Sequence, residues 1–142
     1  MAQKKMDECI FCRIVRKEIP CYKIYEDNDI LAFLDRNPVN PGHTLVIPKK
    51  HYETILNADD ETLKKLAIAI KKISNAMYKG LKLNGFNIGI NQFSAAGQVV
   101  PHLHVHIIPR KENDNLRLWP TREYESEEEK KRVQEKITRL LK

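Results

Sequence analysis

A strict alternation of histidine and apolar residues constrains this 142-residue chain more than any other feature. It occupies residues 102–107, in a segment that prolines bound at positions 101 and 109. Successive side chains of a β-strand point to opposite faces of the sheet. One face would therefore carry three apolar residues and the other three histidines: Leu103, Val105 and Ile107 against His102, His104 and His106. Because a buried apolar face fixes the register of a strand, the segment is predicted to be a strand that presents three imidazoles together.

The remaining patterns predict a single α+β domain with an antiparallel sheet of about five strands, one long helix and a C-terminal helix. Short β-like runs, separated by turn residues, lie at residues 22–25, 30–34, 43–47 and 86–91. Apolar residues recur at steps of three or four from 59 to about 82, which predicts an amphipathic helix. Ser126 and Glu129 have the spacing of a capping box, so the last helix is expected to start at Ser126.

The chain length fits one domain with one core. We expect residues 1–110 to form this domain and residues 111–142 to form an extension whose helix packs on or near it. Residues 110–125 are polar apart from features such as Trp119. This segment either shapes the entrance to a site or serves as a solvated tether.

Composition excludes several classes of function. No apolar run approaches the roughly 20 residues needed to cross a bilayer, and the polar start MAQKKMDE does not resemble a secretory signal, so a cytoplasmic protein is expected. The net charge of +6 favours anionic partners, but the basic residues are dispersed, and nucleic-acid binding is not indicated. Walker-type and Rossmann glycine patterns are absent, which argues against a nucleoside-triphosphate motor and a dinucleotide cofactor. No organic cofactor is expected.

The histidine segment permits three interpretations on its own. One imidazole could attack phosphorus while its neighbours orient it, because imidazole is a good nucleophile near neutral pH. The row could instead bind a metal ion. The histidines could also be ordinary exposed strand residues.

Cys9 and Cys12 form a Cys-x-x-Cys pair, and Cys21 stands apart. An odd, sparse set of cysteines in a chain without a signal makes a poor disulfide framework. The pair therefore indicates a metal site, a redox pair or two inert buried thiols.

The chain resembles the histidine triad (HIT) superfamily over residues 9–110. Four blocks occur in the family's order: CIFCRIVRKEIP, YEDNDILAFLDRNPVNPGHTLVIPKKH, GFNIGINQFSAAGQ and PHLHVHIIPR. The sequence is most similar to the nucleoside-phosphoramidase (Hint-type) branch and its bacterial and archaeal relatives. The uridylyltransferase branch has Gln at the third triad position. Because this chain has His106 there, a hydrolase is favoured over a transferase. The resemblance implies the HIT-like fold and a homodimer whose sheets join across a two-fold axis.

The resemblance also implies a mechanism. His104 would attack the α-phosphate of a purine nucleotide, with His102, His106 and His43 in support, and water would then release the nucleoside monophosphate from a nucleotidyl-histidine. A cationic His106 and backbone amides near Gly97 would stabilise the developing charge. Candidate substrates are adenosine phosphoramidates, aminoacyl adenylates and dinucleoside polyphosphates.

Nucleotide-binding residues follow from the same resemblance. Asp35 would bind the ribose hydroxyls, although it could instead cap the turn before Asn37. Three positions match a base pocket, or else ordinary core: Phe11, Ile14 and Phe33. Three more match residues beside the phosphates: Asn91, Gly97 and Gln98. Val99 stands where the family usually has Ser or Thr, so we expect an altered leaving-group preference or a lower rate.

In prokaryotic relatives, four matching residues hold a structural zinc ion: Cys9, Cys12, His51 and His102. Four protein ligands leave no open position for catalysis. Two other functions remain open at this point. The chain could be a nucleotide-binding module without turnover, or a zinc-dependent hydrolase that uses the triad as metal ligands.

Overall fold

The computed structural model describes residues 2–141 of the backbone and residues 4–141 of the side chains. Its centre is a five-stranded antiparallel sheet in the order β1-β2-β3-β5-β4. The strands are β1 (Lys23–Glu26), β2 (Ile30–Leu34), β3 (Thr44–Pro48), β4 (Gly85–Gly89) and β5 (Val105–Arg110). The predicted α+β class and five-stranded sheet are confirmed, and β1 and β4 form the two edges.

Four α-helices accompany the sheet in the described part of the chain: α1 (Ala2–Glu8), α2 (Ile10–Val15), α3 (Asp60–Gly80) and α4 (Glu127–Thr138). A 3-10 turn spans Ser94–Ala96. The long helix α3 starts where the sequence predicts, because the Asp59 carboxylate accepts a hydrogen bond from the Thr62 amide at 2.7 Å. Helix α1 was not predicted, since its polar sequence has no apolar periodicity.

Apolar residues pack on both faces of the sheet. On one face, α3 covers a cluster that includes Val46, Leu103, Val105 and Ile107. On the opposite face, α2 covers a second cluster that includes Phe11, Phe33, Leu45 and Ile47. The apolar side of the histidine segment therefore lies on the α3 core, as predicted, and its imidazoles lie on the α2 side.

The predicted strand from residue 102 is wrong at its start, because β5 begins only at Val105. Sheet pairing with β3 extends no further back than the pair Val46 and Val105. Before that point, the Leu103 amide donates to the main-chain oxygen of Tyr52 at 2.6 Å. His102 and Leu103 are nonetheless completely buried and His104 is 7% exposed. The first two histidines thus lie in an extended approach to the strand.

The chain turns back after β5 at an ion pair in which Arg110 Nε lies 2.8 Å from an Asp114 carboxylate oxygen. The predicted start of the last helix is confirmed: Ser126 caps α4 by accepting from the Glu129 amide at 3.1 Å. No side chain of α4 is buried. Its packing on the domain remains a prediction. Within residues 2–141, none of the helices has the length and apolarity needed to span a bilayer.

Candidate functional site

The five histidines of the chain lie in two neighbouring groups. The first group, the thiol cluster, consists of Cys9, Cys12, His51 and His102. The second group, the imidazole row, consists of His104, His106 and His43, whose successive ring centroids are each 5.1 Å apart. The backbone between His102 and His104 joins the two groups.

The thiol cluster brings four potential metal ligands together. Cys9 Sγ and Cys12 Sγ lie 3.3 and 3.6 Å from His102 Nδ1, and Cys12 Sγ lies 3.3 Å from His51 Nδ1. All four ligand atoms lie within 4.8 Å of one another. His51 is half-buried and the other three residues are buried. The sequence could suggest this set only through the resemblance, because His51 and His102 are far apart along the chain.

The hydrogen bonding of His102 orients its ring towards the thiols. His102 Nε2 lies 2.9 Å from the main-chain oxygen of Pro48. A carbonyl oxygen only accepts, so Nε2 carries the hydrogen and the Nδ1 lone pair faces the cysteines. Burial lowers the pKa of His102 to about 4, which keeps the ring neutral. Burial also raises the pKa of Cys12 to about 12, and a bound cation would reverse this effect. Two thiols and two neutral imidazoles fit a tetrahedral zinc ion.

One ring nitrogen of His104 makes a hydrogen bond to the backbone, and the other keeps a free lone pair. Its Nδ1 lies 2.6 Å from the main-chain oxygen of His102, so Nδ1–H donates and the Nε2 lone pair is free to act as a nucleophile. The Phe11 ring packs edge-on against His104, with centroids 5.1 Å apart. Burial lowers the pKa of His104, which favours the neutral, nucleophilic ring.

His43 and His106 are joined by a direct hydrogen bond. His43 Nε2 and His106 Nδ1 are 2.9 Å apart, and the Val39 amide donates to His43 Nδ1 at 3.0 Å. His106 Nε2 is buried and has no hydrogen-bond partner within the described part of the chain. The expectation of a cationic His106 is wrong, because burial and then the neighbouring His104 and His43 lower its pKa to about 4. His106 is therefore a neutral ring near pH 7.

Asp35 has one carboxylate oxygen in a turn and one facing the imidazole row. Oδ1 accepts from the Asn37 amide at 2.9 Å, which is the turn contact considered above. Oδ2 lies 3.7 Å from His43 Nε2. The side chain remains 20% exposed, so the carboxylate still has capacity to accept hydrogen bonds from a ligand.

The three residues expected in a base pocket belong to the α2-side core. Phe11 and Phe33 are 6% and 4% exposed, and their rings meet edge to face with centroids 5.6 Å apart. Ile14 is half-buried against the same cluster. Since Phe11 also touches His104, this part of the core ends at the imidazole row. A base-binding role for these side chains remains a prediction.

The loop before the histidine segment is braced by Gln98. Its amide nitrogen donates to the main-chain oxygens of Glu53 at 2.7 Å and Val100 at 3.2 Å, and its oxygen accepts from the Phe93 amide at 2.7 Å. The side chain therefore holds the loop together, a role that sequence reasoning missed. Gly97 has a φ of +92°, and Val99 is 88% exposed. The side chain of Val99 is thus open to solvent, with no group for hydrogen bonding.

A cavity of about 630 Å³ lies beside the imidazole row. Its walls include His43, His106, Asn91 and residues 116–119. The volume suits a small organic ligand. Trp119, which the sequence singled out, lies on this wall and is 82% exposed.

The triad histidines do not share one metal position. His102 belongs to the thiol cluster, whereas His106 and His43 form a second potential ligand group with Asp35. Among residues 4–141, no potential metal-ligand group includes His104. The geometry therefore does not favour a zinc hydrolase that uses all three triad histidines as ligands.

Comparison with known proteins gives consistent matches. Residues 16–113 match the HIT domain family. Adenylylsulfatase HINT3 of Arabidopsis thaliana is 46% identical over 110 residues, covering 78% of this chain and 56% of that protein. A crystal structure of a Streptococcus mutans UA159 protein has a TM-score of 0.90 and 38% identity, covering 96% of this chain and 87% of that one. A zinc-bound histidine triad family protein from Mycobacterium smegmatis has a TM-score of 0.75 and 37% identity, covering 95% and 96%.

Proposed function

The chain belongs to the HIT domain family, a superfamily of nucleotide-binding proteins and hydrolases, and from this premise we propose that it hydrolyses purine nucleotide derivatives through a covalent nucleotidyl-histidine on His104. The substrates are nucleoside phosphoramidates, aminoacyl adenylates or dinucleoside polyphosphates. The single observation that carries the proposal is the tautomer of His104. Its Nδ1–H is held by the His102 carbonyl at 2.6 Å, which leaves Nε2 as a free lone pair.

In the first step, His104 Nε2 attacks the α-phosphorus. The Nε2–P bond forms as the bond from phosphorus to the leaving amine, carboxylate or phosphate breaks. The negative charge of the leaving group, or a proton taken from solvent, balances the step. The attacking imidazole becomes cationic, and the His102 carbonyl stabilises it by accepting the Nδ1–H hydrogen bond.

In the second step, water attacks the same phosphorus from the side that the leaving group vacated. The Nε2–P bond breaks and its electron pair returns to the ring, so His104 becomes neutral again. The water oxygen leaves on the nucleoside monophosphate, and one proton of the water is released to solvent. Backbone amides near Gly97 and the unpartnered Nε2 of His106 are the groups available to bind the phosphoryl oxygens.

Two groups of residues next to the imidazole row recognise the ribose and the base of the nucleoside. The Asp35 carboxylate binds the ribose hydroxyls, because it retains a free oxygen and 20% exposure. The base lies against the apolar surface formed by Phe11, Ile14 and Phe33. Asn91, Gly97, Gln98 and Val99 border the phosphate, with Gln98 acting by bracing the loop.

The thiol cluster holds a structural zinc ion in this proposal. Zinc supplies no reaction step there; it cross-links the N-terminal helices to the histidine segment. The tautomer of His102 that the Pro48 carbonyl fixes, the nearby His51 and the two buried thiols support this assignment. Free Cys9 and Cys12 suit a reducing compartment, which also supports a cytoplasmic location.

Residues 1–110 form the catalytic domain, residues 111–142 form an extension, and two copies of the chain associate through β4. The free edge of β4 and its exposed Ile88 support such a dimer, because uncovered strand edges pair readily. The exposed α4 supports an extension that contributes little to the stability of the domain.

The proposal is tested by incubating the protein with an adenosine phosphoramidate, quenching without acid and measuring the intact mass. We expect a product, adenosine monophosphate, and a protein that has gained one adenylyl group. His104→Ala should show neither, whereas Leu56→Ala, a change at an exposed position outside the site, should retain both. Nucleotide binding by the wild-type protein without adduct or turnover, across all three substrate classes, would instead establish a non-catalytic binding module.

A further inference from the structure

The Val39 amide makes the first contact of a hydrogen-bond chain that ends at the imidazole row. It donates to His43 Nδ1 at 3.0 Å. A backbone N–H can only donate, so His43 Nδ1 must offer a lone pair. His43 is 3% exposed, and burial lowers its pKa, so the ring is neutral. A neutral ring with a lone pair on Nδ1 carries its hydrogen on Nε2.

This hydrogen determines the state of the next ring. His43 Nε2 and His106 Nδ1 lie 2.9 Å apart. Since His43 Nε2–H is the donor, His106 Nδ1 must accept. His106 is also neutral, so its own hydrogen lies on Nε2, the atom that is buried without a partner in residues 4–141. Leaving a buried donor without an acceptor is unfavourable, and a ligand oxygen would satisfy it.

The carboxylate of Asp35, which lies beside these hydrogen bonds, favours the same positions of the hydrogens. Asp35 Oδ2 lies 3.7 Å from His43 Nε2, and a carboxylate favours a hydrogen on the nitrogen that it faces. The other neighbour is His104, whose ring centroid lies 5.1 Å from that of His106 and which is itself neutral. Both neighbours are therefore compatible with hydrogens on the two Nε2 atoms.

We infer that the backbone amide of Val39 sets the polarity of a relay through His43, so that His106 presents an Nε2–H donor to a non-bridging oxygen of the bound phosphoryl group. This inference rests on the proposed function for its ligand, but the tautomers exist without one. Val39 and His43 are positioning residues. The donor is pre-oriented, so no reorganisation is needed when charge develops on the phosphoryl oxygens.

The same relay disfavours a metal ion at the second ligand group. A metal held by His43 Nε2 and Asp35 would need a lone pair on Nε2, which would move the hydrogen to Nδ1 and into the Val39 N–H. The thiol cluster has the opposite arrangement, because the Pro48 carbonyl holds the hydrogen of His102 away from the cysteines. The Val39 amide thus favours a hydrogen-bond relay at His43, whereas the Pro48 carbonyl favours metal binding at His102.

The relay is tested first without substrate. In the full-length, zinc-loaded protein labelled with ¹⁵N-histidine, long-range ¹H–¹⁵N correlation spectra report which ring nitrogen carries the hydrogen. We expect both His43 and His106 as Nε2–H tautomers at pH 7. An Nδ1–H tautomer for either ring would overturn the inference. Because no substrate is present, this result is independent of the proposed hydrolysis.

Two matched pairs of variants then test the polarity. Val39→Pro removes the N–H and Val39→Ala keeps it, so only the proline variant should lose the single-tautomer state of His43. His43→Gln keeps a donor at the position of Nε2, whereas the isosteric His43→Glu offers only acceptors at pH values where its carboxyl group is ionised. We expect His106 to remain Nε2–H in His43→Gln and to gain an Nδ1–H in His43→Glu. Identical His106 spectra in the two His43 variants would refute the relay, and this pair remains informative if Val39→Pro does not fold.

Activity and metal binding supply the remaining readouts. His43→Glu should lower kcat at least about tenfold relative to His43→Gln, with a smaller change in KM, because the lost donor acts in the transition state. A second equivalent of Zn²⁺ should bind Val39→Pro more tightly than Val39→Ala. Equal kcat in the His43 pair, or equal second-site affinity in the Val39 pair, would contradict the inference. A wild-type protein that shows both expected Nε2–H tautomers but no hydrolytic activity would contradict the proposed function and not the relay.

Discussion

Nδ1 of His104 lies 2.6 Å from the main-chain oxygen of His102, whose own ring faces Cys9 and Cys12. The residue that supplies a potential zinc ligand therefore also fixes the tautomer of the proposed nucleophile. Because His102 is completely buried, its backbone cannot shift without disturbing the thiol cluster. The thiol cluster and the proposed nucleophile are thus connected through the main-chain carbonyl group of His102.

This connection predicts the effects of removing or replacing the metal. Removal of zinc by a chelator should lower both the thermal unfolding temperature and kcat, because the His102 carbonyl loses its fixed position. Replacement by Co²⁺ or Cd²⁺ should restore kcat to within about twofold, since a four-ligand structural ion takes no part in the chemistry. Metal content, unfolding temperature and kcat are measured on the same samples. A kcat that follows the identity of the ion would indicate a catalytic metal instead.

Asp35→Asn should weaken binding of ribonucleotides more than it slows the chemical step. The substitution keeps the size of the side chain but makes it a weaker acceptor for a vicinal diol. We expect KM to rise by about tenfold for a ribonucleotide substrate and to change little for its 2′-deoxy analogue, as a lost charged hydrogen bond costs roughly 1.5–3 kcal/mol. Steady-state kinetics of both proteins on both substrates form a double cycle. Equal effects on the two substrates would show that Asp35 acts only in the turn with Asn37.

Acidification should destabilise the fold through His106. Its pKa is lowered from 6.5 to about 4 in the folded chain, so the unfolded chain binds the proton more readily. The contribution of His106 to stability is complete above pH 6.5 and is lost as the pH falls from 6.5 towards 4, by about 1.4 kcal/mol per pH unit at most. Urea unfolding at several pH values should therefore give a shallower decline for His106→Gln than for the wild type. Parallel curves would mean that His106 is not buried as a neutral ring.

The sequence could predict the sheet, α3 and the start of α4 because each depends on local patterns. In α4, Ser126 is a cap whose contact with Glu129 spans three residues. The beginning of β5 could not be predicted in this way. The alternation continues back to His102, but strand assignment requires a partner, and Leu103 bonds to Tyr52 in a loop rather than to β3.

The sequence was sufficient to predict which types of residue lie at the candidate site. It was less informative about their protonation states and their contacts. Alternation was sufficient to place His104 and His106 on one side of the chain. The neutral state of His106 depends on burial, and the bracing role of Gln98 depends on the position of Glu53, which is 45 residues away. The Val39 amide has no sequence signal at all, because every residue except proline carries an N–H group.

Two glycines with positive φ should differ in their tolerance of alanine. Gly42 has a φ of +97°, and a Cβ there would lie 2.6 Å from a Leu81 side-chain carbon and 3.2 Å from the Pro109 ring. Gly97 has a φ of +92°, but its Cβ would meet only Asn91, at 3.6 Å. Both substitutions incur the backbone cost of roughly 1–2 kcal/mol, and Gly42→Ala adds the cost of displacing the Leu81 side chain and the Pro109 ring. Denaturant titration should rank Gly42→Ala below Gly97→Ala in stability, and the reverse order would contradict the packing described around Gly42.

The free edge of β4 leads to a prediction about assembly. Ile88 is 50% exposed in this strand, and Phe86 packs edge-on against Tyr78 of α3 with ring centroids 6.1 Å apart. These apolar side chains adjoin an unpaired strand edge, a surface that folded proteins cover or protect. A two-fold dimer whose axis passes near Ile88 would place each Ile88 near its own copy, since the same patch meets itself across the axis. Ile88→Lys would then bring two ammonium groups together and replace apolar contact with charge repulsion.

Ile88→Lys should therefore be a monomer at concentrations where the wild type is a dimer, as measured by sedimentation equilibrium. Leu56→Lys is the matched control, because Leu56 is 77% exposed on a loop outside the sheet and its substitution adds the same charge. The control should have the same oligomeric state in solution as the wild type. A monomeric wild type, or an Ile88→Lys variant that remains dimeric, would exclude β4 as the interface. The test also bears on the site, because the cavity includes Ile88 in its wall together with His106, so an interface at β4 would border the imidazole row.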